Sequence, residues 1–188
     1  MSLNRRQFLK WSSKAPLLAS APLLFSSQSA SALTHSPKEE FRQLKLNNLH
    51  TGEKANVTYW EQGEYVIDAL ADIYLLMRDH RENSIAPIDI RLLDQLHHVQ
   101  QKLESQKEIL LVSGYRSPKT NENLRKSNHS VSRNSLHMKG KAMDFLIPGL
   151  NLRHVHKATL ASSAGGVGYY ARSGFIHMDT GRKRRWNL

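Results

Sequence analysis

Lys141-Ala142-Met143-Asp144-Phe145-Leu146-Ile147 is a short apolar run with one carboxylate in its middle, entered from Gly140 and stopped by Pro148-Gly149. It reads as a buried strand. A carboxylate inside such a strand is costly unless it is paired or bound to a cation. A second strand, Phe175-Ile176-His177-Met178-Asp179, puts His177 and Asp179 two residues apart, and alternation sends both to one face. Ile109 to Ser113 and Val167 to Tyr170 read as two more short strands, the latter entered through Gly165-Gly166. Between them Asn151 caps a helix that runs to about Ser163. Ser117-Pro118 opens another, to about Lys126, as an N-cap followed by a first-turn proline. Residues 127–140 are polar and loop-like.

The first half is richer in helix. Leu44 to Glu53 alternates and turns at Thr51-Gly52, and Asn56 to Trp60 resumes in β-branched and aromatic residues, which predicts a hairpin. Glu64 to Arg81 predicts a helix with Ile67, Leu70, Ile73, Tyr74 and Met77 on one face. A further helix follows Pro87, with Asp89 as N-cap and Leu92, Leu93, Leu96, Val99 and Leu103 as its apolar stripe. The sum is an α+β domain built on a small, mostly antiparallel sheet with flanking helices.

The chain has 188 residues, no cysteine, ten histidines and a net charge of +11. That length argues for one domain with a core of its own. Without cysteine, disulfides, thiolate metal sites and cysteine nucleophiles are excluded, so any metal must sit on His, Asp or Glu. The charge favours a negative partner such as nucleic acid, anionic lipid or an acidic wall polymer. No apolar stretch reaches the ~20 residues of a membrane-spanning helix.

The first 32 residues carry Arg5, Arg6, Lys10 and Lys14 and no acid, then an apolar run from Ala15 to Phe25 and a small-residue tail ending Ala30-Ser31-Ala32. This order predicts an export signal cleaved after Ala32. Asn4-Arg5-Arg6-Gln7-Phe8-Leu9-Lys10 resembles the twin-arginine consensus, so the Tat export machinery is the expected first partner and the periplasm the destination. Export disfavours nucleic acid. Removing those four basic residues lowers +11 to +7 for the rest. Residues 33–43 read as a flexible lead-in and 44–188 as the functional domain.

His137 lies just outside the 141–147 strand, with Gly140 letting the chain turn between it and Asp144. His137, Asp144 and His177 are two imidazoles and a carboxylate on neighbouring strands, which matches a catalytic zinc site with one open position. His97 and His98 point about 100° apart on their helix and read as surface or rim. His154 and His156 likewise diverge, and His129 reads as exposed. Arg182-Lys183-Arg184-Arg185-Trp186 reads as a solvated basic tail.

Ser135-x-His137-x-x-Gly140-x-Ala142-x-Asp144 resembles the first metal motif of the D-Ala-D-Ala metallopeptidases, within the superfamily named after lysostaphin, D-Ala-D-Ala peptidases and the hedgehog domain. Ser113-Gly114-Tyr115-Arg116-Ser117 is similar to that group's arginine motif, and His177-x-Asp179 to its closing one. Asn47 to Glu53 and Gly165 to Tyr170 narrow the likeness to a branch of periplasmic murein endopeptidases. The resemblance implies one zinc per chain on His137, Asp144 and His177. It implies that Arg116 binds the peptide or steadies the negative charge on the attacked carbonyl. Ser135 and Tyr169 are expected at the substrate as well; of the pair Tyr169 and Tyr170, both candidates to flank it, one reads as core. Many members place an acid three residues before the last metal histidine, where this chain has Gly174. Asp179 is the carboxylate expected as general base, or else as the group that orients His177. The implied chemistry is metal-assisted amide hydrolysis of peptidoglycan stem peptides, at cross-links that include those between two diaminopimelate residues. A D-Ala carboxypeptidase of the same fold and a non-catalytic wall-binding module are the alternatives.

Overall fold

The computed structural model describes residues 40–128 and 131–188. The expected export signal, residues 33–39 of the lead-in and His129 lie outside the described residues.

Alternation in Phe41–Asn48 (β1) buries Leu44, Leu46 and Asn48. The strand pairs antiparallel with Lys54–Glu61 (β2), which pairs in turn with Glu64–Tyr65 (β3). The hairpin is as expected, with its turn eased by Gly52 at φ +72°. β1 begins inside the stretch expected as lead-in, because Arg42 binds Asp94 at 2.7 Å and lies over the Trp60 ring.

The next helix, Ile67–Leu76 (α1), is shorter at both ends than the expected 64–81. Glu64 and Tyr65 are claimed by the sheet, and Ile67, expected on the apolar face, is 73% exposed. Beyond Met77 the buried Asp79 bends the chain, accepting from the backbone N–H of Arg81 at 2.9 Å and of Ser117 at 2.8 Å. Ile90–Lys102 (α2) starts as its sequence predicts, with Asp89 accepting from Arg91 N–H at 3.1 Å. His97 on this helix is buried and only His98 is exposed, so the surface reading fails for the first of the pair.

Ile109–Ser113 (β4) is followed by Pro118–Ser127 (α3), capped by Ser117. A 3₁₀ turn at Leu136–Lys139 leads into Ala142–Leu146 (β5). Asn151 caps Leu152–Ser162 (α4). Gly166–Tyr170 (β6) and Phe175–Asp179 (β7) form a hairpin, and Arg184–Asn187 (β8) returns beside β6. Arg184 to Trp186 of the basic cluster are therefore sheet rather than solvated tail, with Arg184 and Trp186 half-buried by alternation, while Arg182 and Lys183 precede the strand and are exposed.

Among the described residues the strands form one sheet in the order β3-β2-β1-β4-β5-β7-β6-β8, antiparallel except at β1–β4 and β6–β8. Leu44, Leu46, Ile109, Leu111, Met143, Phe145, Ile176 and Met178 form one core with apolar residues of α1, α2 and α4. Strand parity sends Asp144, His177 and Asp179 the other way. An irregularity between Leu111 and Ser113 brings Ser113 opposite Asp144 and shifts the end of β4 toward that second face.

Two residues tie the helices to this frame. Gly140 stands at φ +62°, and an added Cβ would collide with the Pro87 carbonyl. Gly140→Ala is expected to cost roughly 2 kcal/mol or more, read as a lowered midpoint of chemical unfolding. Asp89 also accepts from Thr180 Oγ1 at 2.8 Å, joining the start of α2 to the end of β7. Its hydrogen bonds from the Arg91 side chain, Thr180 and the Arg91 backbone outweigh burial and hold its pKa at about 2, against 3.8 ordinarily. A depressed carboxylate stabilises fully above its unfolded pKa and ceases to do so as pH falls through the folded value. Unfolding measured between about pH 4 and pH 2 should therefore steepen with acid, and Asp89→Asn should flatten that limb.

Candidate metal centre

Three elements deliver the centre. The 3₁₀ turn presents His137, β5 presents Asp144 and β7 presents His177, the last two directly opposite in the register. All three are buried. His177 Nδ1 lies 2.8 Å from Asp144 Oδ1, His137 Nε2 lies 3.4 Å from Asp144 Oδ2, and the two ring nitrogens are 3.3 Å apart. An ion bound at ~2.0–2.1 Å by tetrahedral ligands would space them by about 3.4 Å, so the triangle is of the right size.

The outward-facing ring nitrogens settle what the inward-facing ones offer. His137 Nδ1–H donates to the Gly114 carbonyl at 2.8 Å, which leaves Nε2 with a lone pair. His177 Nε2–H donates to Asp179 Oδ2 at 3.0 Å, which leaves Nδ1 with one. With both imidazoles neutral, two lone pairs and a carboxylate thus converge with no donor between them. Such a cluster requires a cation, either a proton or a metal ion, and these residues could hold a divalent metal. The same tension shows in the titration of His177. Burial alone would push the imidazole down, but hydrogen bonds to Asp144 and Asp179 outweigh it and raise the pKa to about 9. Asp144 is held far below the usual carboxylate range: burial opposes its charge, and the charges and hydrogen bonds of His137 and His177 prevail.

Asp179 is not placed to serve as the expected general base. Its carboxylate is fully buried and meets His177 at the nitrogen that points away from the cluster. Its remaining capacity is used by Gly166 N–H at 2.9 Å, Gly181 N–H at 2.9 Å and a two-pronged grip from Arg184 at 3.1 and 2.7 Å. The His177 hydrogen bond first, and then these contacts, keep it ionised despite burial. Asp179 orients His177, and Arg184 orients Asp179. Gly174, where many relatives in the wider group carry an acid, closes the β6–β7 hairpin at φ +75°.

A cavity of about 620 Å³ opens over the cluster. Arg116 reaches it from the β4–α3 junction, its guanidinium 4.0 Å from Asp144 and held only loosely by Asn121 at 3.4 Å and Ser113 at 3.3 Å. Burial draws its pKa down while the charge of Asp144 opposes that fall. Ser135 lines the wall beside His137. Tyr169, expected at the substrate, lies on the opposite face of β6 against His156, with ring centroids 5.0 Å apart. Tyr170 lines the cavity instead.

Sequence reasoning missed β8. Trp186 packs over Gly168 and against His177, with ring centroids 5.1 Å apart. A Cβ at Gly168 would strike the Trp186 indole, and one at Gly166 would strike Arg184 and Asp179. The available signal was a pair of matched spacings: Gly166 and Gly168 two apart, facing Arg184 and Trp186 two apart.

A mixed α+β sheet bearing a His-Asp-His cluster beneath an open, arginine-bordered cavity belongs to the metallopeptidase class. The family described as peptidoglycan L,D-endopeptidase MepK (Peptidase_M15_2) matches residues 36–186, and the chain belongs to it. It is 47% identical over 145 residues to peptidoglycan L,D-endopeptidase MepK of Escherichia coli K12, covering 77% of this chain and 80% of that protein. It is 37% identical over 156 residues to the probable peptidoglycan L,D-endopeptidase MepK of Haemophilus influenzae, covering 82% and 83%. No solved structure gives a significant match.

Arg184→Gln keeps the strand but removes the fork that holds Asp179. Affinity for a divalent ion, measured by competition with a chelator, should fall about 10–100-fold, with a small change in stability.

Proposed function

We propose that this chain is a zinc-dependent peptidoglycan endopeptidase that hydrolyses peptide cross-links, including those between two diaminopimelate residues, during wall growth or remodelling. The observation that carries the reading is the convergence of His137 Nε2, His177 Nδ1 and Asp144 with the far nitrogen of each imidazole already committed to another acceptor. The two-histidine, one-carboxylate set suits zinc with an open position. The relatives that carry the endopeptidase name match most of this chain. The twin-arginine-like residues 4–10 and the small-residue tail before Leu33 support Tat export to the periplasm.

In this reading His137, Asp144 and His177 hold the ion, which when bound supplies Lewis-acid polarisation and lowers the pKa of water. Gly114 and Asp179 fix the two imidazole tautomers before any ion arrives, so little reorganisation accompanies binding. Arg116 offers a planar fork to a substrate carboxylate or to the charge developing on the attacked carbonyl. Its loose tethers leave it able to turn toward that charge. Leu124, Val131, Leu136 and Phe175 give the cavity apolar walls for the stem peptide. The basic chain suits an acidic wall polymer.

Incubation of zinc-loaded protein with diaminopimelate-type sacculi should convert cross-linked muropeptides into separated stems, read by mass spectrometry and stopped by chelator. His137→Ala should abolish the conversion and lose bound zinc, a larger effect than any substitution of an outer partner. Release of free D-Ala in place of separated stems would mark a carboxypeptidase and overturn the endopeptidase assignment.

A further inference from the structure

One hydroxyl on the cavity wall is set up as a donor with nothing to donate to. Tyr170 ends β6 on the same sheet face as His177, two residues beyond Gly168, whose register partner is His177. Its ring is stacked on Phe175 with centroids 4.4 Å apart and planes at 18°. The Trp186 indole Nε1–H donates to the Tyr170 oxygen at 3.1 Å. An indole N–H can only donate, so the phenol is the acceptor there and keeps its own O–H to give. Among the described residues no protein acceptor takes that hydrogen. Burial raises the Tyr170 pKa, so the group stays a neutral donor.

The placement is economical. β8 contributes Arg184 to steady the metal histidine through Asp179, and two residues on contributes Trp186 to aim the phenol. The ring has little freedom left: Phe175 stacks on it and the indole fixes its oxygen. A donor immobilised beside the reacting atoms stabilises developing charge without reorganising when that charge appears. Arg116 and Tyr170 line the same cavity from the β4–α3 junction and from β6, on either side of β5 and β7, which carry Asp144 and His177.

We propose that Tyr170 is a catalytic residue whose hydroxyl donates to the carbonyl oxygen of the scissile amide, complementing Arg116 as negative charge builds there. No proton changes hands. As the carbonyl π electrons move onto oxygen the hydrogen bond shortens, and the phenol is unchanged when the products leave. The role rests on the endopeptidase reading of the same site.

Tyr170→Phe keeps the ring and the Phe175 stack and removes the hydroxyl, which is both the free donor and the acceptor of the Trp186 indole N–H. With zinc-loaded protein and a purified cross-linked muropeptide, kcat should fall on the order of 10²-fold, while KM stays within about twofold. Zinc content should not move, and the thermal midpoint should shift only by the loss of the Trp186–Tyr170 hydrogen bond, a loss that Trp186→Phe shares. Affinity for a phosphinate analogue of the cross-link should drop by the same factor as kcat, and affinity for the product stem peptide should not. Trp186→Phe, which removes the aiming N–H, should lower kcat in the same direction by less. A Tyr170→Phe enzyme with unchanged kcat would overturn the role, as would a rise in KM alone or a loss confined to stability or zinc content. Wild-type protein that cleaves no cross-link would sink the endopeptidase reading and this role with it, so the two failures are distinct.

Discussion

The hydrogen bond from His177 Nε2–H to the buried Asp179 carboxylate fixes which nitrogen of His177 faces Asp144 and His137. Without it the imidazole could turn its N–H inward and satisfy the cluster by itself, and no cation would be needed. Much of the surrounding architecture keeps that bond in place. The amides of Gly166 and Gly181 and the fork of Arg184 hold Asp179 ionised, and Trp186 blocks the space beside the ring. The glycines of β6 are there because β8 must lie that close.

Such a cluster is unfavourable for the protein alone. Buried acceptors facing one another cost free energy, and the fold tolerates them because the strands on either side are anchored by a continuous apolar core. The two faces of the sheet thus do different work. One joins to the helices through Leu, Ile, Met and Phe side chains, and the other carries the polar site beneath an open cavity. A metal ion bound there would recover part of the stability the bare cluster withholds.

Much of this was legible in the chain. The mixed α+β architecture followed from short apolar runs punctuated by Gly and Pro. β4 and β7 have the bounds their sequences predict, and the caps at Asp89, Ser117 and Asn151 are made by the side chains expected. These features depend on residues a few positions apart, where periodicity and capping chemistry act. The helix expected over 64–81 fared worse, since Glu64 and Tyr65 are recruited by a strand partner and Asp79 by an amide near residue 117. Neither pull is visible in a local window.

The sequence by itself determined that one carboxylate sits in a buried strand, that His177 and Asp179 share a face, and that no thiolate competes for a metal. Backbone alternation and composition suffice for each. Only the tertiary structure decided the division of labour among these groups. The tautomer of each histidine is set by an acceptor far from it in sequence, Gly114 for His137, or by a carboxylate that Gly166, Gly181 and Arg184 hold in place for His177. The inward turn of Arg184 and Trp186 likewise required β8 to pair with β6. A basic cluster carries no record of the strand it will lie against, because pairing energy is spread over the backbone of both partners and appears only once they meet.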